Sequence, residues 1–105
     1  MTRFKRDIAN QIKDELEKIR YYYSYRDILI QASKFCGENQ IVEKVRMYNE
    51  FIVKAPIRLY HLYYEFYICG HSNFSLANKL SYSTEHIGKL HRSLVHYFAD
   101  CIENL

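Results

Sequence analysis

The sequence predicts an all-α protein, a small helical bundle of about five or six helices. Proline occurs once and glycine three times in 105 residues, so few breakers interrupt the chain. Apolar residues recur at three- and four-residue spacing, and long alternating strand patterns are missing. A hydrophobic content of 49% is enough for a real core, and the length favours one compact domain. Residues 1–55 read as an N-terminal helical region for packing or dimerisation, and residues 56–105 as the region that carries function.

The first helix is expected from Arg3 to about Tyr23. Ile8, Ile12, Leu16, Ile19 and Tyr23 mark its apolar face, and Lys13, Asp14, Glu15, Glu17 and Lys18 its outer face. Asp14 and Lys18 are spaced as an i,i+4 ion pair. Ala9, Ile12, Leu16, Ile19 and Tyr23 also fit a short a/d seam. The helix therefore either dimerises or packs on its own domain. Ser24 suits the N-cap of a second helix, with Asp27 reaching back. That helix would run to Cys36, bury Ile28, Leu29, Ala32 and Phe35, and stop at Gly37. The run Tyr21–Tyr23 with Tyr25 sits at this joint, either as a corner wedged into the core or as a sticky surface for a partner.

Glu38 to Lys54 is the third helical stretch, with Ile41, Val45, Tyr48, Phe51 and Ile52 on or near one side. Pro56 opens the next helix, which continues to Cys69. Ile57, Tyr60, Leu62, Tyr63, Tyr64, Phe66, Tyr67 and Ile68 make it apolar almost all round, so it is expected to be central and most buried. Gly70 ends it, and Ser72 or Asn73 caps its successor.

Asn73 to Leu94 has the pattern of a helix-turn-helix. Ala77 supplies the small residue where two helices cross, with Leu76 and Leu80 on the same face. Ser81-Tyr82-Ser83 forms the turn, and Ser83 suits the N-cap of the second helix. Ile87, Leu90 and Leu94 form one buried stripe on that helix, which should continue through Phe98, Ala99 and Ile102. Ser81 stands where such turns usually carry glycine, at a cost if its φ is positive. The spacing is that of units whose second helix reads the DNA major groove; the plainer alternative is two ordinary core helices.

From Leu62 to Ala99 the sequence resembles the helix-turn-helix of sigma-factor C-terminal domains and LuxR-type regulators, through Gly70-His71-Ser72-Asn73 followed by Leu76-Ala77 and Leu80. It is more closely similar to ArpU-like transcriptional regulators of phages and prophages. The residues that carry this likeness are Leu80, Tyr82, Ser83, Arg92, Ser93, Leu94, Phe98 and Ala99. The resemblance implies late-gene or prophage transcription control in the cytoplasm of a low-GC bacterial host.

With the buried stripe removed, Ser83, Thr84, Glu85, His86, Gly88, Lys89 and Arg92 remain to face DNA. Lys89 and Arg92 can donate to guanine or phosphate, and Glu85 can accept from a cytosine amino group. Lys79, His71 and Ser72 are placed to touch phosphates. Gly88 costs a helix interior roughly 1 kcal/mol against alanine. It fits either close approach to DNA or close packing against the preceding helix or a partner. The net charge of +3 and a pI of about 8.7 suit nucleic acid without demanding it. So few fixed charges on the face imply modest phosphate affinity, supplemented by a homodimer or by RNA polymerase. A helix-turn-helix-shaped module that binds a host protein instead of DNA is the rival function, and the eleven tyrosines suit it.

Cys36, Cys69 and Cys101 are an odd set without paired spacing, so free thiols in a reducing compartment are expected. No apolar segment follows Arg3, Lys5 and Arg6 as a signal peptide would require, and no run has the length of a membrane span. His61, Glu65, Cys69 and His71 come near a metal-ligand spacing, but a His61–Glu65 hydrogen bond and a core Cys69 are favoured over a metal. His91 and His96 do not share a helical face well. No phosphate loop or nucleophile motif is present, and neither an enzyme nor a cofactor is expected.

Overall fold

The computed structural model describes residues 3–25 and 40–105. The protein is all-α, with no strand among the described residues. Helix α1 spans Arg3–Ser24, α2 spans Gln40–Ile52, and α3 spans Ile57–Leu62 before widening into a π-helical turn over Tyr63–Ile68. Helix α4 spans Asn73–Leu80 and α5 spans Thr84–Glu103. The helix expected between Ser24 and Cys36 lies outside the described residues.

Helix α5 organises the bundle, since α1, α2, α3 and α4 all pack on it. Its stripe Ile87, Leu90, Leu94, Val95 and Phe98 is buried. The stripe Ile12, Leu16, Ile19 and Tyr22 of α1 is buried against the π turn, α5 and α2. The residues that spell an a/d seam in α1 are thus used in the chain's own core. Helix α2 adds Val45, Tyr48 and Ile52, with Tyr48 edge-on to Phe98 at 4.7 Å between ring centres. Such ring pairs add to area burial because the positive edge of one ring meets the negative face of another.

Helix α3 and its π turn pack on α1, α4 and α5 but are not buried all round. Leu59, Leu62, Tyr63 and Tyr67 turn inward, whereas Ile57 is 65% exposed and Tyr60, His61 and Tyr64 face outward. A helix rich in tyrosine need not be buried on every side. A phenol ring satisfies an interface with water equally well. The tyrosine run at the end of α1 also divides. Tyr22 is buried and Tyr23 half-buried, while Tyr21 and Tyr25 stack on each other at the surface with ring centres 4.5 Å apart. Ser24 bonds back to the Arg20 carbonyl at 3.0 Å.

Glu15, expected on the outer face, is only 8% exposed. It accepts hydrogen bonds from Lys44 at 2.6 Å, from Gln11 at 3.3 Å and from the Tyr48 hydroxyl. Burial by itself raises its pKa, but these donors outweigh burial and hold the carboxyl below its usual range. Burial, and then the Glu15 carboxylate, push the Tyr48 hydroxyl far up. A second polar chain joins the same elements. Asn49 donates to the Tyr23 hydroxyl at 3.0 Å and accepts from Tyr63 at 2.8 Å. Asp14 and Lys18 are both exposed, and no ion pair joins them among the described residues.

Candidate nucleic-acid interface

Helix α3 and its π turn close with Cys69 N–H donating to the Tyr64 carbonyl at 2.9 Å, the i to i+5 bond of a π helix. Gly70 then takes φ of +78°, which glycine adopts without a Cβ clash, and the chain reverses. Ser72 caps α4 by accepting from Ser75 N–H at 3.1 Å. Leu76 and Ala77 are buried, and the Ala77 carbonyl accepts from Tyr82 N–H at 2.9 Å. Ser81 is the left-handed corner, with φ 59° and ψ 37°. Ser83 caps α5 by accepting from His86 N–H at 3.1 Å. Ser72, Ser81 and Ser83 thus stand at helix ends, as their sequence positions predict.

Burying the Ile87–Leu94 stripe turns Thr84, Glu85, Lys89 and Arg92 to solvent. None of these side chains has an ion-pair partner among the described residues. His86 is half-buried, its ring shelved on Tyr82 with centres 4.5 Å apart. The hydroxyl of Ser83 is taken by the cap, which leaves its remaining lone pair for any other donor. Lys79 is committed within the chain, with its ammonium 2.9 and 3.0 Å from the two Glu65 carboxylate oxygens. His71 joins the same carboxylate at 3.3 Å. Glu65 therefore pairs with Lys79 and His71, not with His61. Cys69 is exposed and not core; it and Cys101 are free thiols. Among the described residues no group of His, Cys, Asp and Glu is placed to hold a metal ion.

Gly88 has open space around it: among the described residues an added Cβ would meet nothing within 4 Å. Close packing against the preceding helix is thereby removed as its cause. The glycine instead lines a cleft of about 430 Å³ between α1 and α5, whose walls include Lys13, Glu17, Arg20, Phe66, His91 and Arg92.

The back of this cleft is a fixed polar network that periodicity did not reveal. Arg20 stacks its guanidinium over Phe66 at 4.1 Å and donates to the carbonyls of Gly70 and His71, both at 3.3 Å. It thereby ties α1 to the start of α4. His91 places Nε2 at 2.8 Å from Asn73 Oδ1 and Nδ1 at 3.3 Å from the Tyr67 hydroxyl. This pairing assigns the proton to Nε2. Burial, and secondarily the Arg20 charge, lower the His91 pKa and keep the ring neutral. Burial pushes the Tyr67 hydroxyl up to about 12. The sequence contained one clue, that Arg20, His91 and Phe66 are polar or aromatic residues flanking apolar stripes. Their meeting requires the tertiary fold.

No protein-family model, curated protein or solved structure matches the chain. Among the described residues no helix is long and apolar enough to cross a membrane.

Proposed function

We propose that this protein is a sequence-specific, double-stranded-DNA-binding transcriptional regulator of the ArpU-like, phage or prophage kind, working in the cytoplasm of a bacterial host. Helices α4 and α5 act as its helix-turn-helix, and α5 reads the major groove from Ser83 onward. The observation that carries this reading is the outward face of α5. Lys89 and Arg92 stand there beside Thr84 and Glu85 without an ion-pair partner among the described residues, on a helix anchored along its other side. Arg92 and Lys89 donate to guanine edges or phosphates, Glu85 accepts from cytosine, and Thr84 and His86 serve the groove margin. Ser83 contributes chiefly by fixing the helix start. Lys79 acts through its hold on Glu65 more than as a free phosphate donor. Affinity is supplemented by a homodimer or by contact with RNA polymerase. The reading uses no cofactor and no catalytic residue.

The test is a Lys89→Ala, Arg92→Ala double variant assayed on a selected duplex. Specific binding is lost while thermal unfolding is unchanged; a variant that binds its site like the parent removes the assignment. A second reading, a helix-turn-helix-shaped module for a host protein, is favoured by Phe74, which is 72% exposed on α4. Partner capture that survives nuclease treatment supports that reading, and capture only through DNA refutes it.

A further inference from the structure

We propose that the cleft between α1 and α5 seats a phosphodiester backbone of duplex DNA, with Lys13 of α1 and Arg92 of α5 as its phosphate contacts and Gly88 as the clearance for the strand. The proposal rests on the DNA-binding reading and extends the interface beyond the helix-turn-helix. Gly88 is the first observation. A glycine is costly in a helix interior, and nothing among the described residues needs the missing Cβ. The space it leaves belongs to the cleft, which the described residues leave open to a partner.

Charge is the second observation. Lys13, Arg20 and Arg92 line the cleft against the single carboxylate of Glu17. Lys13 and Arg92 make no ion pair among the described residues. Arg20 is held rigidly by Phe66 and the Gly70 and His71 carbonyls, so its positive charge is fixed at the back wall. A cleft lined by cations from both α1 and α5, with a glycine in one wall, is complementary to a sugar–phosphate strand. Arg92 lies at the edge shared by the cleft and the outward face of α5. The strand in the cleft would thus flank the groove that α5 reads. The added cations from α1 also supply charge that the helix-turn-helix alone lacks.

Glu17 gives the proposal its sharpest test, because its removal should improve binding. The full-length chain and its Lys13→Ala, Gly88→Leu and Glu17→Gln variants are titrated against a short mixed-sequence duplex and the same duplex carrying a selected site, over a salt series. Lys13→Ala is expected to weaken both duplexes alike and to flatten the slope of log K against log salt by about one. Gly88→Leu raises Tm, since leucine favours helix, yet weakens both duplexes by about tenfold or more. Glu17→Gln tightens both. Parent-like binding by Lys13→Ala and Gly88→Leu, with Lys89→Ala, Arg92→Ala still defective, overturns the cleft and leaves the recognition helix standing. A parent chain that binds neither duplex at low salt overturns both.

Discussion

The seam between α1 and α2 and the outward face of α5 treat charge in opposite ways. At the seam, Glu15 is buried and its carboxylate is taken up by Lys44, Tyr48 and Gln11. On the α5 face, Lys89, Arg92 and Glu85 point to solvent with no ion pair among the described residues. A buried charge persists only when paired and hydrogen-bonded, so the seam is built for the folded state. A surface charge contributes little to stability alone, so a cluster of them on an anchored helix is available to a partner. Lys79 belongs with the seam in this respect, since Glu65 holds it.

The largest expected effect breaks the seam. Tyr48→Ala removes a fully buried ring and the hydroxyl that satisfies Glu15; it should cost about 3–5 kcal/mol in urea unfolding. A loss under about 1 kcal/mol would mean that the seam is not a stability element. Next, Glu15→Gln should cost about 1–3 kcal/mol, because Lys44 loses its charged partner and buried groups are left poorly matched. By contrast, Lys89→Ala, Arg92→Ala should change stability by no more than about 0.5 kcal/mol. An equal loss from both kinds of variant would erase the distinction between the two regions.

Acid sharpens the comparison. The His91 pKa is lowered on folding, so the unfolded chain binds more protons below about pH 6.5. The stability contributed by neutral His91 is present above that pH and is lost as pH falls below it. The Glu15 pKa is also lowered, so its contribution is present above about pH 4.3 and declines further down. Tm measured from pH 8 to pH 5 should therefore fall on acidification, and His91→Gln should flatten that fall. A His91→Gln profile parallel to the parent would detach the histidine from the effect. The smallest effect is at the turn. Ser81→Gly relieves a left-handed φ of 59° and should raise stability by about 0.5–1 kcal/mol. Destabilisation would mean that Ser81 earns its place through a contact and not through tolerance of strain.

Much of the α4–α5 unit was legible because its signals are local. Ser72 and Ser83 cap their helices, Ala77 is buried, and Ile87, Leu90 and Leu94 repeat at helical spacing. The candidate residues of α5 followed by removing that stripe. Local spacing could not show that Glu15 turns inward, since its position on the wheel borders the apolar stripe and two of its donors, Lys44 and Tyr48, lie on α2. Nor could it show that Glu65 meets Lys79 and His71, since these partners lie beyond the turn at Gly70. The cleft depends on residues far apart in the chain. Lys13 and Arg20 meet Gly88 and Arg92 only because α1 packs along α5.

The most direct test of the central claim is selection of the full-length chain on a pool of random duplexes, followed by re-measurement of the surviving site at rising salt. An enriched motif is expected, with binding that outlasts that of mixed-sequence duplex as salt rises, because base contacts remain when phosphate attraction is screened. No enrichment, with binding that disappears equally from all duplexes at moderate salt, would contradict the central claim.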